Sequence, residues 1–312
     1  MPASSFDGPW SPLSENEARL MSELERDIRT LAEDIGDRNV FAHENYLAAA
    51  DFIEESLREA GYEVARQAFE TEGRRVYNLE AQRRGSADPE RILVLGAHYD
   101  SVAGTPAAND NATGVAALLA TARDLAEAEP ELTVRFVAFA NEEPPFFQTE
   151  KMGSLVYARE ARQRGDDIAG MISLETIGYY SDEPGSQRYP PPFQWIYPDR
   201  GNFLAFVANV RSGGLVREGI RAFREHAKFP SEGASVPGFI DGVGWSDHWA
   251  FWQEGYPAFM VTDTALFRYP YYHTPRDTPD KLDFPRMTRA VDGLIAMTRE
   301  LAGAEARSGA SR

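Results

Sequence analysis

The stretch RILVLGAHYDSVAGTPAANDNATGVAALLATARDLAEAEPELTVRFVAFANEE, residues 91–143, decides the fold class. Its opening run, ILVLGA, is apolar throughout rather than alternating, the pattern of a strand buried on both faces. Between Asn111 and Ala128 the residues Val115, Leu118, Leu119, Ala122 and Leu125 recur at helical spacing, and LTVRFVAFA is a second buried strand. Strand, helix, strand continues downstream, with SLVYAREARQRG read as a helix and IAGMISLETIG as a strand. Such alternation predicts an α/β domain: a mixed, largely parallel central sheet flanked by helices.

Upstream, ENEARLMSELERDIRTLAEDI and HENYLAAADFIEESLREAG carry helical spacing, the second closed by Gly61, and YEVARQAFE and RVYNLEAQR alternate as a hairpin does. Downstream, residues 179–245 shift to Pro, Gly and aromatics and read as a loop-rich insertion that could cover a site, although NFLAFVANVRSGGLVREGIRAFREH within it returns to helical spacing. YPAFMVTDT is a late strand and DFPRMTRAVDGLIAMTRELAG the closing helix. No interdomain linker or internal repeat is visible, so the expectation is a single domain over 1–312, with a flexible leader at 1–13 and a flexible tail at 304–312.

Composition removes several function classes. A formal charge of −17 disfavours nucleic acid and anionic membrane as partners, since both repel an acidic field. With no cysteine, disulfides and thiolate chemistry are impossible, and any metal must sit on His and carboxylate groups. The N-terminus has no signal-peptide pattern, so the sequence as written reads as cytoplasmic, or as secreted or periplasmic if an export signal has been trimmed. Oligomeric state leaves no mark in the sequence.

Polar residues that follow apolar strands are placed to converge, because ligands of open α/β sheets bind beyond the carboxyl ends of the strands. His98 and Asp100 follow one strand, Glu142 and Glu143 another, Glu175 ends a third, and a loop after the FMV strand leads to His273. Taken singly, each has an ordinary explanation. His98 suits a hydrogen-bonded buried position, Glu142 and Glu143 a solvated loop, and Asp110 with Asn111 a helix N-cap. Glu175 is harder to place, since a carboxylate buried in a strand costs several kcal/mol without a partner. Together, two histidines and several carboxylates suit zinc, whose hydrolytic sites use nitrogen and oxygen ligands.

The segments GAHYDS, ANDNATG, ANEE, SLETIG, SDHWAF and YYHTPRDTPDKLD, in that order from about 92 to 284, resemble the two-zinc exopeptidases of metallopeptidase family twenty-eight, which include leucyl-type aminopeptidases, glutamate carboxypeptidase and glutaminyl cyclase. The resemblance implies two zinc ions bridged by Asp110, with His98 and Glu175 on one and Glu143 and His273 on the other. It further implies Glu142 as the general base acting on a metal-bridging water, Asp100 as the acid that orients His98, and a cis peptide at Asp110-Asn111. Tyr272 resembles a tyrosine that hydrogen-bonds the oxyanion, and equally suits packing. Many relatives carry Asp where Glu175 stands, a departure that bears on the room left for a substrate amine.

On this reading the chain is a zinc aminopeptidase that removes an N-terminal residue, expected to be apolar, from short peptides, with carboxypeptidase or dipeptidase, glutaminyl cyclase and an inactive binding domain as alternatives. Asp247 and His248 suit either a supporting or a core role. Tyr179, Tyr180, Phe193, Trp195 and Tyr197 suit either an apolar subsite or loop anchors, and Arg268 is a candidate for meeting a substrate carboxylate.

Overall fold

The structure, a computed structural model, describes residues 1–304. Helices α1 (Glu15–Arg29) and α2 (His43–Glu59) precede the hairpin β1 (Val64–Thr71) and β2 (Arg74–Arg83). Then come β3 (Asp88–His98), α3 (Thr113–Leu125), β4 (Leu132–Phe139), α4 (Gly153–Arg164) and β5 (Asp167–Glu175). The last third holds β6 (Leu204–Ala208), α5 (Gly213–His226), β7 (Ser231–Ser235), α6 (His248–Gln253), β8 (Ala258–Thr262), α7 (Ala265–Arg268) and α8 (Phe284–Leu301).

The eight strands form one sheet in the order β1-β2-β4-β3-β5-β8-β6-β7. Its centre, β4-β3-β5-β8, is parallel, while β1, β2 and the β6-β7 pair supply antiparallel joins. The apolar run of β3 is explained by its two faces. Leu93, Leu95 and Ala97 enter the larger core with α1, α2, α3, α5 and α8, and Ile92 and Val94 enter the smaller one with α4 and α6. Because the chain goes from β3 to β4 on one side and then crosses to β5 on the other, the carboxyl ends of β3 and β5 flank the switch point where such sheets bind ligands.

Three local readings change. The first helix ends at Arg29 and continues as a wider π-type turn over Thr30–Ile35. The segment 204–235, inside the expected loop-rich insertion, supplies β6, α5 and β7 to the fold, leaving 179–203 and 236–247 as the irregular parts. Leu204–Ala208, read as the start of a helix, is a strand between β8 and β7; a short run buried on both faces carries no period that separates strand from helix. The leader at 1–13 has no regular element but is tied to the body. Arg224 donates to the Pro2 and Ala3 carbonyls at 3.2 and 2.9 Å, and Trp10 packs on Phe229. The tail expected at 304–312 lies outside the described residues beyond Ala304. No helix among the described residues is long and apolar enough to cross a membrane.

Candidate metal centre

His98 is the last residue of β3 and is buried. Asp100 sits two residues on. Its Oδ1 lies 3.4 Å from His98 Nδ1, and its two oxygens accept the backbone N–H groups of Glu142 and Glu143 at 3.0 Å each. One carboxylate therefore fixes both the first imidazole and the turn after β4, a wider role than orienting His98 alone.

The loop from His98 to Asp110 is braced from beneath. Arg38, fully buried, donates to the carbonyls of Tyr99, Pro106 and Ala107 in that loop and of Leu31 and Gly36 in the turn after α1. Asp110 lies in the turn Ala108–Ala112, before a cis peptide to Asn111, as expected. The backbone N–H groups of Asn109 and Asp110 donate to Asp277 at 2.8 and 3.1 Å, while Asn111 Nδ2 donates to the Leu174 carbonyl at 2.8 Å. The turn is thus fixed against both the loop after His273 and the end of β5.

So positioned, Asp110 points one oxygen at each histidine: Oδ1 lies 3.3 Å from His98 Nε2, and Oδ2 lies 3.0 Å from His273 Nε2. Glu175 Oε2 is 3.2 Å from His98 Nε2 and accepts from Ser246 Oγ at 2.8 Å; Glu143 Oε2 is 3.3 Å from His273 Nε2. Glu142 Oε2 stands back, 3.8 Å from His98 Nε2. The ligating atoms of His98, Asp110 and Glu143 also fit within 4.8 Å of one another. We nevertheless divide the set by shortest approach, His98 with Glu175 and His273 with Glu143, because each acid then faces its own imidazole and Asp110 is shared.

The donor set fits a cation. His98 Nε2, Asp110 Oδ2, Glu143 Oε1 and His273 Nε2 are buried with no hydrogen-bond partner among the described residues, a combination that is costly without a ligand. Electrostatics points the same way. Burial pushes Glu143 up to about 8, helped by Asp110, and burial likewise holds Glu142 well above the carboxylate range despite His98. Asp110 alone goes down, because the facing His273 and His98 outweigh its burial. So many acids cannot all ionise around two imidazoles, whereas a divalent cation would allow it. The residues that could hold zinc are therefore His98, Asp110, Glu143, Glu175 and His273.

Tyr272 stacks on His273 with ring centroids 3.8 Å apart. Burial, then the nearby Asp110 and Glu143, push its phenol well up, so it remains a proton donor. A cavity, partly open to solvent, begins at Glu175 and Tyr272 and runs outward over the sheet. Of the aromatics named from the sequence, Phe193 and Tyr197 line it, whereas Tyr179 packs on Tyr269 and Tyr180 on Phe229 as anchors; Trp195 is exposed. Arg268 is not among the residues that line the cavity. Its buried guanidinium donates to Gln187 Oε1 and the Phe203 carbonyl at 2.8 and 2.9 Å, tethering the irregular segment. His248 is a core residue, bonded to the Val243 carbonyl at 2.8 Å and set edge-on to Trp252. Asp247 is also buried, and burial pushes it up to about 7.

Arg38, Ser246 and Asp277 are supporting residues that the sequence reading passed over. Asp277 lies inside the quoted segment YYHTPRDTPDKLD, four residues after His273, and that proximity was the signal available.

The profile of Peptidase family M28 matches residues 78–298. The chain belongs to that family. Membership in M28 makes it a metallopeptidase of the exopeptidase type. It is 38% identical over 308 residues to the protein YfbL of Escherichia coli K12, covering 95% of this chain and 94% of that one. It is 28% identical over 243 residues to leupeptin-inactivating enzyme 1 of Streptomyces exfoliatus, covering 76% of this chain and about half, 51%, of that protein. Among solved structures, BSAP, a zinc aminopeptidase from Bacillus subtilis, superposes with a TM-score of 0.72 at 16% identity, over 93% of this chain and 96% of that one. At that identity the likeness speaks for the M28 fold.

Proposed function

We propose that this M28 peptidase is a two-zinc aminopeptidase that removes the first residue of short peptides. The observation that carries the reading is the cavity joined to the centre: Glu175, Glu232 and Asp241 line it, and no lysine or arginine does among the described residues. An acidic recess attracts the ammonium end of a peptide and repels its carboxylate end. The one arginine that could have suited a carboxypeptidase, Arg268, is engaged with the chain's own carbonyls.

Zinc, when bound, supplies Lewis acidity and eases deprotonation of the attacking water. The protein's part falls to its side chains. Glu142, close to His98 but not the nearest acid to either histidine, is free to take a proton from water and return it to the leaving amine. Tyr272, held as a phenol, can donate to the carbonyl oxygen as it gains negative charge. Asp100 keeps Glu142 and Glu143 in register with His98 throughout.

The test is mass spectrometry of short peptides, free or blocked at either end and some beginning with Gln, after incubation with zinc-loaded protein. Loss of the first residue from free-amine peptides alone supports the reading. A requirement for a free carboxyl end, or loss of ammonia from Gln peptides, overturns it. Glu142→Gln is expected to keep its zinc by elemental analysis while losing turnover by a factor of roughly a hundred or more.

A further inference from the structure

The floor of the cavity is a single row of paired residues. Glu175 on β5 pairs with Thr262 on β8, Thr262 with Ala205 on β6, and Ala205 with Glu232 on β7. Residues directly paired across a sheet point to the same face, and all four line the cavity. The row therefore starts at a candidate zinc ligand and ends, three strands away, at a second carboxylate. Three strand spacings set the two acids about 14 Å apart along the floor.

Between them the surface is apolar. Ala205 and Val207 lie beneath, and Phe193 and Tyr197 stand alongside. Glu232 is half-buried, and no hydrogen bond or ion pair engages its side chain among the described residues. The neighbouring Ser231 faces the other way, its Oγ accepting from Arg224 at 2.9 Å, while the Gly233 carbonyl accepts from the Tyr197 hydroxyl at 3.0 Å. Arg224 and the N-terminal amine exert only longer-range attraction on Glu232, and burial still pushes its carboxyl up. Burial and then the Glu232 charge also push up the Tyr197 phenol, which places an aromatic ring within its influence.

We propose that Glu232 makes this cavity select peptides whose first residue has an apolar stem and a cationic tip, arginine or lysine. The inference rests on the aminopeptidase reading, because it takes the first residue to be anchored at the Glu175 end. An extended arginine or lysine side chain lying along the floor covers roughly half of the span from there, carrying its tip toward the carboxylate that the floor presents at its far end. The methylene stem lies on the apolar floor, as such stems do, while the tip meets a carboxylate beside aromatic rings. Leucine or phenylalanine can enter the same recess but leaves Glu232 without a partner.

The experiment compares arginine with citrulline, its neutral near-isostere, in two measurements. One is the kcat/KM of arginyl and citrullinyl peptides; the other is calorimetric binding of the two free amino acids to the zinc-loaded protein. Both are repeated with Glu232→Gln. Arginine favoured by about tenfold or more, with the preference falling to near unity in the variant, is the expected result. Equal treatment of the two by the wild-type protein, or a preference unmoved in the variant, overturns the proposal. If leucyl peptides are still cleaved in that case, the aminopeptidase reading stands without it. If no first residue is released from any peptide yet arginine binds more tightly through Glu232, the aminopeptidase reading fails and the recognition of a cationic tip survives.

Discussion

Asp110 offers one oxygen to each of two histidines, so a change there reaches both halves of the centre. Asp110→Asn is expected to lose nearly all bound zinc, whereas His273→Ala is expected to lose the half shared with Glu143 and keep a weaker site at His98. Elemental analysis after exhaustive dialysis separates the two; a full pair retained by His273→Ala would contradict the ligand assignment. At this scale the sequence was legible where chemistry follows a strand. His98, Asp100, Glu142, Glu143 and Glu175 stand at or just beyond the ends of β3, β4 and β5, where an acid or imidazole conflicts with its apolar neighbours. Asp277, Ser246 and Arg38 were not legible. Asp277 and Arg38 act on backbone groups, and Ser246 acts through one hydroxyl, none of which imposes a spacing on the sequence. Arg268 misled for a related reason: a charge near the last ligand in sequence turned its guanidinium away into carbonyls.

Among elements, the loop between β3 and α3 depends most on a residue outside itself. Replacing Arg38 with Leu would strand the carbonyls of Tyr99, Pro106 and Ala107 without a donor in a buried place. A loss of about 3 kcal/mol or more is expected, since each unsatisfied buried group costs about 1–3 kcal/mol. Urea unfolding with and without zinc measures it, and zinc affinity should fall in the same variant because the loop sets the distance from His98 to Asp110. Elements with a clear period or long apolar runs, α2, α3, β3, β4, β5 and α8, were visible in the sequence. β6 was not, being five residues long and buried on both faces, and neither was β7, whose SEGAS has no apolar pattern because it is a half-buried edge strand. Their pairing partners, far along the chain, decide their conformation.

For the whole molecule, zinc and pH are linked. Without metal, Glu143 is pushed up to about 8 and His273 to about 10, so the folded state holds protons that the unfolded chain releases. Groups raised on folding stabilise at low pH and lose that contribution as pH rises through their folded values. The metal-free protein is thus expected to lose stability from about pH 5 to 8 through Glu143 and on to about pH 10 through His273, by up to about 1.4 kcal/mol per unit for each group titrating. The zinc-loaded protein, whose ligand imidazoles must stay unprotonated, should instead gain stability as pH rises through the ordinary histidine value of about 6.5 and level off above it, and thermal unfolding across that range checks both. A further consequence concerns modularity. The family profile begins at residue 78, and every candidate ligand falls within it, yet the guanidinium that fastens the ligand loop comes from residue 38. A fragment cut at the profile's edge would keep all five ligands and lose the bolt that sets their spacing. The portable unit of this chemistry is accordingly larger than its signature, and the opening helices belong to the centre as much as the strands that carry it.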